Sequence, residues 1–228
     1  MMRNQITTSA NSTAASITSA LVLFLISFGL HRGLDWLRDL IGITDIGFKL
    51  WGIGTLIVAI LLPLWAAVHL IGLEPRKALN LMRPNWIRTA FVVPIGFGLA
   101  VAFNIAWPTI ITPSPEYIEK MQMFIRYKDT TEFVLVFLLV VLTTPIADEL
   151  LFRGFLLRAC LVRYGGTAAV LLTALATALF HTWEPFKLGH AFVMGVIFAT
   201  AVLWSRSIIA SILLHALLNS LSLMPWLS

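Results

Sequence analysis

The chain has 228 residues, of which 59% are hydrophobic and only 12% charged, with a mean hydropathy of +0.90 and a formal net charge of +5. A soluble domain carries about a quarter charged residues, so this composition excludes one and calls for an integral membrane protein. Its apolar runs do not alternate apolar with polar positions, which excludes a transmembrane barrel. The basic residues are scattered through short loops, so no nucleic-acid partner is expected. Cys160 is the single cysteine, which excludes an intramolecular disulfide and any multi-cysteine metal site.

In chain order, Met1 to Ser19 is rich in Ser, Thr, Ala and Asn, with Arg3 its one basic residue. Apolar stretches follow near 14–30, 50–72, 90–111, 133–152, 167–183, 190–204 and 207–223, each close to the roughly 20 residues that span a bilayer. The expected fold is therefore all-α, a polytopic bundle of about seven membrane helices, with six or eight as the bounds. The first run ends at Gly29-Leu30-His31-Arg32, which lacks a small-residue cleavage site; it is read as a retained first helix. After the second helix, Arg76, Lys77, Arg83 and Arg88 face one acid, Glu74, and positive loops face the cytoplasm. This places the N-terminus inside and the stretch from Trp107 to Thr131 outside. That stretch contains Pro108, Pro113 and Pro115, expected to break the helix. Its second half, Glu116 to Tyr127, spaces Tyr117, Ile118, Met121, Phe124 and Ile125 along one helical face, an interfacial connector rather than a gate. The chain divides into residues 1–131, the N-terminal helices and connector, and 132–228, a helical core, within one integrated membrane domain.

The core holds polar groups where hydrocarbon is expected. Asp148-Glu149-Leu150-Leu151-Phe152-Arg153 sits inside an apolar run from Phe133 to Val162, and ionisable groups at that depth are costly unless they face the protein interior or a cavity. Glu149 and Arg153 are four apart with the acid first, so they can pair on one face. Asp148 lies about 100° away around the helix and is free to point elsewhere. Pro145 removes a backbone hydrogen bond just upstream and kinks the helix. His181 follows in a strongly apolar segment, and His215 and Asn219 share a face on the last helix. One such carboxylate pair, or one such histidine, is equally a helix-packing device. Together they point to acid–base chemistry, for which His and carboxylates are the usual groups. Glu184 reads as an ordinary acid at a helix end. His31, His69 and His190 read as interfacial histidines near helix ends. Trp36, Trp51, Trp65, Trp86, Trp107, Trp204 and Trp226 read as an aromatic belt.

The segment Thr144-Pro145-Ile146-Ala147-Asp148-Glu149-Leu150-Leu151-Phe152-Arg153-Gly154 resembles the first motif, Glu-Glu-x-x-x-Arg, of the CAAX protease and bacteriocin-processing family of intramembrane endopeptidases. His215 and Asn219 match the third motif, His-x-x-x-Asn, after a similar lead-in at Trp204-Ser205-Arg206-Ser207-Ile208. The second motif, Phe-x-x-x-His, is met at His181. The resemblance covers about residues 132 to 223 and departs at two positions: Asp148 replaces the first Glu, and Thr177 replaces the Phe. It implies that Asp148, assisted by His181, activates water, that His215 and Asn219 stabilise the oxyanion, and that Glu149 with Arg153 supports them. Asp is one methylene shorter than Glu, and a misplacement of about 1 Å can cost 10²-fold in rate, so attenuated activity is part of the expectation.

The resulting expectation is hydrolysis of a peptide bond in a membrane-associated polypeptide, prenylated or of leader type, in a multi-pass protein of the bacterial inner membrane. Its partners are that peptide or protein substrate and the lipid bilayer; no cofactor and no metal are expected. Three alternatives stand beside it. A zinc metalloprotease would use His181, His215 and the Asp148/Glu149 carboxylates, although no His-Glu-x-x-His pattern is present. A proton-coupled transporter would show internal repeats, which the sequence lacks. A non-catalytic relative would serve as an immunity or scaffold protein.

Overall fold

In hydrocarbon every backbone N–H and C=O must be satisfied within the protein, so long apolar runs fold as helices. The computed structural model describes residues 15–181 and 184–224; most of the Met1–Ser19 segment, with Arg3, and also Trp226 lie outside the described residues. Helices account for nearly all of the described chain, and no strand occurs among the described residues. Helix α1 (Ile17–Ile41) starts where the Ser16 side chain accepts from Ser19 N–H and stops at Gly42, whose φ of 72° is a left-handed cap. It therefore continues well past Arg32, correcting the end expected there. The charged residues beyond that point satisfy one another along the helix. Arg38 donates to Asp35 at 3.0 Å and to Asp39 at 2.8 Å, and His31 faces Asp35 at 3.6 Å. Pairs spaced three and four apart keep such a stretch helical.

Helix α2 (Asp45–Leu70) contains one wide turn, in which Leu62 N–H reaches the Ile57 carbonyl. A short turn α3 (Pro75–Ala78) leads to α4 (Trp86–Ile110), capped by Asn85. Pro94 and Pro108 lie inside α4, so Pro108 does not break the helix as expected; the helix ends two residues later. Helix α5 (Pro115–Ile125) is the anticipated amphipathic segment. It has no buried residue and rests on α2 through Phe124 and Phe48, whose rings meet edge-on at 4.8 Å.

Helix α6 (Thr130–Tyr164) is longer than the 133–152 stretch expected for it. It starts at Asp129, whose side chain accepts from Glu132 N–H, and ends at Gly165, φ 81°. Helices α7 (Gly166–His181), α8 (Pro185–Ser205) and α9 (Ile208–Leu221) complete the bundle. Glu184 caps α8 by accepting from Lys187 N–H at 2.8 Å, in keeping with its reading as a helix-end acid. Five helices (α1, α2, α4, α6 and α8) are long and apolar enough to cross a membrane, and α7 and α9 are shorter apolar helices. The protein is an integral membrane helical bundle.

Close packing places the polar residues. Gly195 lets α8 approach α7 until a Cβ there would sit 2.8 Å from Ala174 Cα, and Gly154 lets α6 approach the α3 turn at the Leu79 carbonyl. Small residues at such crossings are how membrane helices come close. Helix α4 packs on α8 and α9, and α1 packs on α2 and α6. The face of α6 carrying Asp148, Glu149 and Arg153 is thereby buried, with those three residues 2%, 0% and 1% exposed.

Candidate active site

The geometry begins with the backbone of α6, which has two wide turns, at Phe137–Thr143 and Glu149–Leu156. In the first, Thr144 N–H bonds five residues back, to Leu139 O. In that register the donor due to Val140 O would come from residue 145, which is proline and has none. Asn219 Nδ2 supplies it from α9, at 2.8 Å. The sequence links Pro145 and Asn219 to separate motifs; the structure joins them as an orphaned acceptor and the donor that satisfies it. The second wide turn closes with Leu157 N–H on Phe152 O and contains both Glu149 and Arg153. Wide turns of this kind recur at functional sites.

Glu149 occupies the centre of one cluster. Its Oε1 is 3.1 Å from His215 Nδ1, and its Oε2 is 3.5 Å from Arg153 Nε, an ion pair rather than a hydrogen bond. Arg153 Nη2 donates to Gly195 O at 3.2 Å, and its guanidinium lies over the Phe152 and Phe198 rings at 5.6 and 5.4 Å. Phe198 also stacks on His215 at 4.8 Å. The expected Glu149–Arg153 pair is therefore present, extended by an unexpected third member, His215. An ionised carboxylate only accepts, so His215 Nδ1 carries a hydrogen towards Glu149. That leaves Nε2 as the ring nitrogen not engaged with Glu149.

Asp148 belongs to a second cluster. Its Oδ2 is 3.2 Å from His181 Nε2, while His181 Nδ1 is 2.9 Å from Thr177 O. A carbonyl only accepts, so Nδ1 carries a hydrogen. The contact between Nε2 and Oδ2 then requires one more proton, on either the ring or the carboxyl. Asp148 and His181 thus hold a single shared proton between them. Thr177, where the resembling motif has Phe, is buried and bonds Thr173 O through its own hydroxyl at 2.8 Å; its backbone, not its side chain, orients the imidazole.

All six residues expected at the site come from α6, α7 and α9 and pack around one buried stretch of α6. The carboxylates lie behind the imidazoles: the His181 and His215 side chains are 24% and 13% exposed, against 3% and 0% for Asp148 and Glu149. Asn219 departs from its expected role in one respect, since one of its donors is spent on Val140 O. Three further groups are not assigned to the site by the sequence. Lys187 lies within electrostatic range of Asp148. His190, taken for an interfacial histidine, is 2.7 Å from Asn104 Oδ1. His31 lies inside α1 rather than at its end, and its spacing of four from Asp35 was the available signal for their contact. At the rim, Tyr117 of α5 packs on Phe186 at 5.6 Å. Partial burial and the negative charge of Glu184 push the Tyr117 hydroxyl up to about 12. Among the described residues, no group of three or more His, Cys, Asp and Glu side chains could hold a metal ion.

These features define a polytopic membrane bundle with two carboxylate–imidazole pairs enclosed among its last helices. Residues 130–221 match the family model described as Type II CAAX prenyl endopeptidase Rce1-like, so this region is similar to a family of proteases. The match spans α6 to α9, fewer than half of the 228 residues, and includes every residue of both pairs. No curated protein and no solved structure matches the chain.

Proposed function

We propose that the protein is an intramembrane endopeptidase that hydrolyses a peptide bond in a membrane-associated polypeptide, prenylated or of leader type, in a bacterial inner membrane. The observation that carries this reading is the pairing of two adjacent buried carboxylates with two histidines from different helices. Asp148 with His181 is the water-activating pair. With the shared proton on Nε2, the Asp148 carboxylate is ionised and takes a proton from water as the oxygen attacks the scissile carbonyl. The nitrogen of the breaking C–N bond then takes a proton from the pair, which returns to its starting state. His215, held by Glu149, presents Nε2–H to the oxyanion when protonated, and the second Nδ2 hydrogen of Asn219 is a further donor. Arg153 offsets the Glu149 charge and fixes the frame. General acid–base and oxyanion groups of this kind each contribute about 10²–10⁴-fold.

The test is cleavage in lipid vesicles. The purified protein would be offered quenched fluorescent peptides of two classes, prenylated C-terminal and hydrophobic leader, with the cleavage site read by mass spectrometry. The expected result is cleavage of one class, unaffected by phenanthroline. Loss of activity on chelation with recovery on adding zinc would replace this mechanism with a metalloprotease one. No cleavage by either the natural protein or Asp148→Glu would make it a non-catalytic relative.

A further inference from the structure

The first turn of α8 carries an ammonium that none of the motifs uses. Lys187 is partly buried, and its side chain makes no ion pair and no hydrogen bond among the described residues. A lysine near the end of a membrane helix ordinarily extends its tip to water, and the positive start of a helix disfavours a cation. Lys187 instead stands on the inward face of α8. At about 100° per residue, it shares that face with Ala191, Met194 and Phe198, all buried.

The neighbouring helices fix where this face looks and how deep it lies. Trp107 Nε1 of α4 donates to Phe186 O at 2.9 Å, and His190 Nε2 meets Asn104 Oδ1 at 2.7 Å. Helix α4 therefore holds the flank of α8 that carries Phe186 and His190. On the other side of Lys187, Phe198 stacks on His215 and lies under Arg153, whose Nη2 bonds Gly195 O. Helices α6 and α9 therefore lie on the Lys187 side. Helices α7 and α8 pack antiparallel and come together where Gly195 lies against Ala174. Seven residues on from Ala174 is His181, and seven back from Gly195 is Leu188. Lys187 thus stands about level with His181, and Asp148 is the acid within its electrostatic range.

A cation turned into a membrane bundle is costly without a counter-charge. A peptide substrate brings one whatever its sequence, the carboxylate at its C-terminus. We propose that Lys187 binds the C-terminal carboxylate of the substrate through Nζ, so that the protein cuts peptides close to a free C-terminus. The inference rests on the reading of Asp148 and His181 as the water-activating pair. An ammonium level with that pair fixes the carboxylate within a few residues of the scissile bond. A leader-type peptide cut far from its end leaves Lys187 unpaired, whereas a short C-terminal tail satisfies it.

The test compares a prenylated peptide ending in a free carboxylate with the same peptide ending in an amide, in lipid nanodiscs. Binding is read by fluorescence anisotropy on Asp148→Asn, or on the natural protein if that cleaves neither peptide. The free-ended peptide should bind about tenfold tighter or more, and the same factor should appear in kcat/KM for cleavage by the natural protein. Lys187→Gln and Lys187→Met should each abolish the difference by weakening the free-ended peptide alone, and Lys187→Arg should keep most of it. Melting temperatures identify which variants are folded. Equal affinity for the two peptides, no binding of the free-ended one, or a preference that survives removal of the ammonium each overturns the proposal. Cleavage with no preference for the free end sinks this inference and leaves the protease reading intact. A preference that depends on Lys187, without cleavage, does the reverse.

Discussion

Asp148 and Glu149 are neighbours on one helix, are equally buried, and each meets a histidine, yet their surroundings differ in kind. Glu149 is engaged through both oxygens, by Arg153 and by His215, and Arg153 is anchored in turn by Gly195 O and two aromatic rings. Asp148 has one imidazole, whose far nitrogen is tied to a backbone carbonyl. The first arrangement balances charge and fixes position. The second leaves one proton with two possible owners. In the proposed mechanism, one methylene and one helical position separate a structural carboxylate from a chemically poised one, and the partners decide which is which. Substitutions that separate the two roles are the way to break this comparison.

The largest effect belongs to Asp148. Asp148→Asn removes the base and should lower cleavage about 10³-fold or more, read as turnover per folded molecule. Asp148→Glu should raise turnover if the short side chain holds the base back from the scissile bond. If both variants change only the melting temperature, Asp148 is as structural as Glu149 and the contrast fails.

Arg153→Ala comes next. It leaves the Glu149 charge buried with His215 alone, and breaking a buried pair costs about 3–5 kcal/mol, so the folded yield in detergent should drop sharply. His215→Ala should instead cost about 10²-fold in turnover, the scale of one oxyanion donor, with the yield largely kept. Equal losses of yield from the two would make His215 part of the frame rather than the chemistry.

Much of this was legible beforehand, and the reasons divide cleanly. Hydropathy marks long spans because the bilayer penalises polar backbone and side chains uniformly, so the stretches near 50–72, 90–111 and 190–204 each fall on a helix. It fails where charges satisfy one another within the helix: Arg38, Asp35 and Asp39 carry α1 on to Ile41. It also misjudged Pro108, which α4 tolerates near its last turn. The candidate site residues stand out in the sequence because the proposed chemistry demands their types at fixed spacing. Their pairing does not: nothing in the spacing of Glu149 and Arg153 predicts that His215, 66 residues on, shares the same carboxylate. The wide turns of α6 were equally hidden, since they follow from hydrogen-bond register rather than from composition.

One such hidden link gives a smaller effect. Asn219→Ala should leave Val140 O buried and unpaired, at about 1–3 kcal/mol. Pro145→Ala restores a backbone N–H that can serve the same carbonyl. The double variant Pro145→Ala/Asn219→Ala should therefore lose less stability than the sum of the single variants, a coupling that thermal unfolding measures through a double-mutant cycle. Strict additivity would show that Asn219 does not act through the α6 backbone and would return it wholly to the oxyanion role.

The smallest effect sharpens the comparison at the rim on the Asp148–His181 side, where α7 gives way to α8. Burial and Glu184 hold the Tyr117 hydroxyl up at about 12. A raised value stabilises the fold with the proton bound. That contribution is complete below the ordinary tyrosine value of about 10 and is lost as pH rises from there through about 12. Tyr117→Phe has no proton to lose, so its melting temperature should fall less than that of the natural protein over this window. Phenolate absorbance should confirm the assignment, since of the three tyrosines the one that titrates last should be absent in the variant. Glu184→Gln, which removes the neighbouring charge but not the burial, should lower the Tyr117 midpoint only in part. A midpoint that drops all the way to the ordinary tyrosine value would mean that charge rather than burial holds it, and that α5 lies more loosely over this side of the site than its contact with Phe186 implies.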